Sequence, residues 1–233
     1  MRTLSFIFVL IFAASISAQS VAVKQAFGEG TRLAKNGEFE KALASYRTAL
    51  AASKDDAIDL KFLARLHYNL GVCEYRLGRA EKAIDELRIA IESKGGEYPE
   101  AFYALGMAET ERENWAKARE AFIGALKTNE RNGEAWFDLA FAYLGEKDLE
   151  RAETAFRNAI ANKSIDTPLS HNNVGVILAI RGDIDAAKTE FKAAVRTSGG
   201  RLKMAEDNLK FCETRASSVG ISKKELIVAE RVQ

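Results

Sequence analysis

The feature that most limits what this chain can fold into is a recurrence. An alanine is followed after three residues by an aromatic or Leu, after two more by a second alanine, and then by an aliphatic residue. The set occurs as Ala42, Tyr46, Ala49, Leu50 and as Ala83, Leu87, Ala90, Ile91. It returns as Ala118, Phe122, Ala125, Leu126, as Ala152, Phe156, Ala159, Ile160, and as Ala187, Phe191, Ala194, Val195. The leading alanines stand 41, 35, 34 and 35 residues apart. A fixed period of this size belongs to stacked repeats, in which no single unit can bury its apolar face alone. Residues at i, i+3, i+4 and i+7 share one face of a helix, so each copy reads as an amphipathic helix. Alanine at a crossing lets two antiparallel helices approach, and the aromatic fills the space beside it. Only two prolines occur, Pro99 and Pro168, so helices are permitted nearly throughout.

A second helix precedes each copy. Leu70-Gly71 leads to Glu74-Tyr75, Leu105-Gly106 to Glu109, Leu139-Ala140 to Tyr143, Val174-Gly175 to Leu178, and Gly30 to Leu33. The large residue opening this helix is Phe102 or Trp136 in two copies and Ala26, His67 or His171 elsewhere. The turn between the two helices carries Gly37, Gly78 and Gly182, with Glu113 and Lys147 in the other copies. Together these residues resemble the tetratricopeptide repeat. The proline that often ends that repeat is absent, and Pro99 and Pro168 instead mark helix starts, with Thr167-Pro168 reading as a cap and first-turn pair.

The resemblance implies an all-α fold, a tetratricopeptide-type α-solenoid of antiparallel helix pairs with a C-terminal capping helix. The expected layout is a leader over 1–18, a solenoid over 19–215, and a tail over 216–233. Five repeats are expected at about 23–56, 57–97, 98–132, 133–166 and 167–198, with the capping helix over 201–215. Leu202, Ala205, Leu209 and Cys212 are expected on one common face of that cap. The longer first interval predicts a lengthened helix running from Asp56 to Leu77.

Arg2, the apolar run Leu4 to Ala14 and the small residues Ser15 to Ala18 have the order of a secretory signal peptide. The apolar run is short against the ~20 residues of a spanning helix, so no membrane span is expected after cleavage. The expected location is exported: periplasm, envelope or secreted. The leader carries one charged residue, Arg2, so the remainder holds 33 basic and 33 acidic residues. That balance gives no electrostatic case for nucleic acid. Cys73 and Cys212 lie in non-adjacent parts of the array. A bridge needs Cα atoms within ~7 Å, so two unpaired, mostly buried thiols are expected.

Catalysis needs a constellation of groups. His67 and His171 occupy the same repeat position as Phe102 and Trp136, which marks them as packed helix residues. Neither has metal-site spacing to Cys or carboxylates. The many carboxylates read as solvated helix faces. Asn162-Lys163-Ser164 matches a glycosylation acceptor. No catalytic residue, metal or cofactor is expected.

The resemblance also implies a binding face lined by the first helices. Pairs four apart set it: Phe27 and Thr31, Tyr68 and Val72, Tyr103 and Met107, Phe137 and Phe141, Asn172 and Val176, with Tyr75 and Leu144 extending the rows. Lys24, Lys35, Arg65 and Arg76 stand at its early ends, and Glu100, Glu111 and Glu134 follow. Family members that hold a terminal carboxylate use Lys and Asn where this chain has Phe27 and Thr31, so that ligand is not expected. An aromatic, Met-containing face suits an amphipathic helix or an extended apolar peptide. The expected role is therefore a non-catalytic scaffold with a protein or peptide ligand. The rival readings are a recruiting subunit of an envelope enzyme and a self-associating array.

Overall fold

The computed structural model describes residues 21–53 and 59–214. The leader over 1–18 and the tail over 216–233 lie outside the described residues. Eleven helices are described: α1 (residues 21–35), α2 (Phe39–Ala52), α3 (Leu60–Arg76), α4 (Ala80–Ser93), α5 (Pro99–Glu111), α6 (Trp115–Leu126), α7 (Gly133–Gly145), α8 (Leu149–Ala161), α9 (Thr167–Arg181), α10 (Ile184–Thr197) and α11 (Lys203–Thr214). The fold is all-α, as the period requires. No described helix is long and apolar enough to cross a membrane. The residues group into two compact units, one up to Arg112 with α1–α5 and one from Glu113 with α6–α11.

Within the first unit α3 packs on α2, α4 and α5. Within the second, α6 to α11 pack each on the next, and α11 also reaches α9. The recurring residues sit on α2, α4, α6, α8 and α10 and form the core. Ala42, Ala83, Ala118, Ala152 and Ala187 are all fully buried, as are Tyr46, Leu87, Phe122, Phe156 and Phe191. Burying one such aromatic contributes ~1.5–3 kcal/mol. The glycines of the preceding helices are the other half of this contact. A Cβ on Gly71 would lie 2.7 Å from Leu87, and one on Gly175 would lie 2.7 Å from Phe191. Small residue and large residue are thus fitted to each other across the pair.

The turns share one conformation. Gly37, Gly78 and Gly182 have φ of 78°, 70° and 94°, and Glu113 and Lys147, at the matching positions, have φ of 57° and 64°. Two side-chain-bearing residues therefore occupy the left-handed region that glycine fills elsewhere.

Two local expectations are corrected. The lengthened helix α3 starts at Leu60 and not at Asp56, because Asp59 is extended and its side chain caps the Lys61 N–H at 3.0 Å. Residues 54–58 lie outside the described residues. Thr167 is not the cap of α9; Asp166 holds that position, and the Thr167 hydroxyl donates to the Ser164 carbonyl at 2.6 Å. On α11 Ala205, Asn208 and Cys212 are buried, and Leu202 and Leu209 are half-buried. Asn208 Nδ2 donates to Asn172 Oδ1 at 2.9 Å, which fixes α11 to α9 by a buried amide pair. Cys73 and Cys212 are both buried and unbridged.

Candidate partner-binding face

In the first unit the face is built by α1, α3 and α5. Phe27, Tyr68, Val72, Tyr75, Tyr103 and Met107 are all half-buried there. The Phe27 ring packs on Tyr46 and Phe62, with centroids 5.5 and 5.1 Å apart. Arg65 places its guanidinium carbon 5.1 Å from the Phe27 ring centre. Tyr68 stacks at 5.2 Å on Tyr98, which leads into α5, and Lys94 Nζ sits 3.9 Å from the Tyr98 ring centre. These are cation–π distances. Burial pushes the Tyr98 phenol up to about 12, helped by Tyr68 and Glu100 and opposed by Arg65. Burial raises Tyr68 as well, and Glu100 adds to it. Both phenols therefore stay neutral near pH 7 and can donate a hydrogen bond.

In the second unit the same register positions do different work. Phe137 and Asn172, expected on the face, are both 0% exposed and unavailable to a partner. Phe137 is enclosed by Phe141 at 5.0 Å and Phe156 at 5.7 Å in edge-on contacts. Phe141 is half-buried and itself packs on Phe156 at 5.4 Å. Asn172 is consumed by the buried amide pair with α11. The reason is local: a capping helix must cover the last pair, and it covers it at the position that elsewhere faces outward.

Several carboxylates expected on solvated helix faces are instead enclosed, which corrects that expectation. Glu74 and Glu109 are buried, with side chains 3% and 2% exposed. Arg47 reaches Glu74 at 2.6 Å, Arg79 reaches it at 3.4 Å and also pairs with Glu40, and Arg88 reaches Glu109 at 2.9 Å. A buried carboxylate is tolerated only when so paired. The signal lay in the register. Glu74 and Glu109 each follow the helix glycine by three, and Arg47 and Arg88 each follow the packed Tyr46 or Leu87 by one.

The two histidines also pair by register. His67 Nδ1 lies 2.6 Å from Glu86, and His171 Nδ1 lies 2.7 Å from Glu190. Glu190 further binds Arg157 at 3.0 Å. Its burial pushes the carboxyl up, but His171 and Arg157 outweigh that and hold it below the usual range. Each histidine thus joins the two helices of a pair. Asn162, in the glycosylation match, caps α8 and gives its amide to the Asn158 carbonyl at 2.9 Å.

Comparison with known proteins gives one family and a set of like folds. The family model described as Tetratricopeptide repeat matches residues 27–101 and 103–166. By sequence the chain is similar to mouse BBSome complex member BBS4, 24% identical over 72% of this chain and 31% of that protein. It spans less than a third of the length of the sequence relatives it matches. By structure it is similar to MamA from Desulfovibrio magneticus RS-1, with TM-score 0.68 and 17% identity over 78% of this chain and 97% of that one. It is also similar to YrrB, described as a TPR protein with an unusual peptide-binding site, with TM-score 0.66 and 20% identity over 84% and 98%.

Proposed function

The chain belongs to the tetratricopeptide repeat family, and from that premise we propose a non-catalytic scaffold of five repeats that holds an apolar or amphipathic peptide or helix in an extracytoplasmic complex. The observation that carries the reading is the row of half-buried Tyr68, Val72, Tyr75, Tyr103 and Met107 on α3 and α5. Half-buried aromatics in a row with aliphatic residues are what protein partners use as anchors. The peptide-binding site of the similar YrrB is in keeping with it. Export rests on Arg2, the apolar run Leu4 to Ala14 and the small residues before Gln19.

Two experiments test the proposal. A photo-reactive residue at Tyr103 is expected to crosslink a protein partner in the producing cells, while one at the exposed Ile89 of α4 is not. Equal labelling from both sites counts against the face. Sequencing of the purified native chain is expected to begin at Gln19; a chain still carrying Met1 in the soluble cytoplasmic fraction would dismiss export.

A further inference from the structure

Resting on the reading of α1, α3 and α5 as a protein-binding face, we infer that its partner is an acidic–apolar peptide segment whose carboxylates lie over α1 and α3. Three pairs of charges bracket the apolar rows: Lys24 and Lys35 on α1, Arg65 and Arg76 on α3, Glu100 and Glu111 on α5. Each pair is eleven residues apart, which is close to three full turns, so both charges share the stripe of the residues between them. The stripes read Lys24, Phe27, Thr31, Lys35, then Arg65, Tyr68, Val72, Arg76, then Glu100, Tyr103, Met107, Glu111. All six charged residues are exposed, and the six between them are half-buried. An apolar strip is thus bordered on both sides by a row of two cations and one anion.

The two arginines of the face point to the sign of the partner. Elsewhere in this unit arginine is matched. Arg32, Arg47, Arg88 and Arg112 lie 2.6, 2.6, 2.9 and 2.7 Å from Glu29, Glu74, Glu109 and Glu81, and Arg79 pairs with Glu40 and Glu74. Among the described residues no ion pair is formed by Arg65 or Arg76, nor by Lys24 or Lys35, although the same unit supplies carboxylates freely. Arg65 lies over Phe27 instead. Four cations that form no ion pair among the described residues, one of them over the Phe27 ring, fit a ligand that brings its own carboxylates and one or two aromatic or aliphatic side chains. The anions Glu100 and Glu111 set its direction, with neutral or basic residues over α5. They also oppose a uniform polyanion such as single-stranded nucleic acid.

The test is selection of random peptides of about 12 residues, enough to cross three helices when extended, displayed on phage against the full chain. Enriched peptides are expected to carry Asp or Glu in one half and an aromatic or aliphatic residue beside it. The Arg65→Glu, Arg76→Glu double variant, checked for unchanged helicity and melting, is expected to weaken a selected synthetic peptide roughly tenfold or more. Salt between about 50 and 500 mM is expected to weaken it too. Enriched peptides that are apolar without acidic bias, and that bind the charge-reversed variant equally, would overturn this inference and leave the apolar face standing. Peptides insensitive also to Tyr75→Ala and Tyr103→Ala would overturn both. Tighter binding of a twenty-nucleotide oligothymidylate, lost in the double variant, would assign the face to nucleic acid and overturn the inference.

Discussion

Glu113 and Lys147 carry a cost that glycine does not. At φ of 57° and 64° an L side chain is held against its own carbonyl, at about 1–2 kcal/mol. Glycine there adds unfolded-state entropy of ~0.5–1 kcal/mol. Glu113→Gly and Lys147→Gly are therefore each expected to raise stability by up to about 1 kcal/mol in urea unfolding. Gly175 works in the opposite sense. Its added Cβ would press on the fully buried Phe191 ring, so Gly175→Ala is expected to cost about 1–3 kcal/mol by overpacking, despite better helix propensity. Cys73 sets a pH dependence. Burial, with the Glu74 charge behind it, raises its thiol from 9.0 to about 11. Between those values the unfolded chain releases a proton that the folded chain keeps. Folding is thus favoured by this group below pH 9 and loses that contribution as pH rises from about 9 to about 11. Melts of the wild type and Cys73→Ala over this range are expected to differ in slope, the variant falling less steeply.

At the scale of elements, α11 is the piece whose removal is most informative. It buries Ala205, Asn208 and Cys212 and supplies the amide that Asn172 accepts. Ending the chain at Arg201 removes the donor to Asn172 Oδ1 and uncovers the buried Asn172 and the side of α10. The truncated chain is expected to melt at a lower temperature and to associate in sedimentation; an unchanged monomer with an unchanged melt would refute the capping role. The helices and their pairing were legible in the sequence because the alanine and aromatic spacing is the packing itself. The start of α3 and the cap of α9 were not. Those hang on whether Asp59 or Asp166 turns its backbone, a choice among neighbouring polar residues that periodicity does not register. Likewise Glu74 and Glu109 are indistinguishable from surface carboxylates until Arg47, Arg79 and Arg88 are placed over them.

At the scale of the whole molecule, one stripe position serves two purposes. Tyr68 and Tyr103 are half-buried, whereas Phe137 and Asn172 at the same register are fully enclosed. The sequence held the positions but not the enclosure, which for Asn172 depends on a helix 36 residues away. The central claim is that the chain holds protein partners on the aromatic face of α1, α3 and α5. The direct measurement is a quantitative pull-down from the envelope fraction with the wild type, the Tyr75→Ala, Tyr103→Ala double variant, and Ile89→Ala as a control on α4. The double variant, shown to be folded, is expected to lose at least one partner by roughly tenfold or more while the control keeps it. Retention of every wild-type partner at wild-type yield by the double variant would contradict the claim.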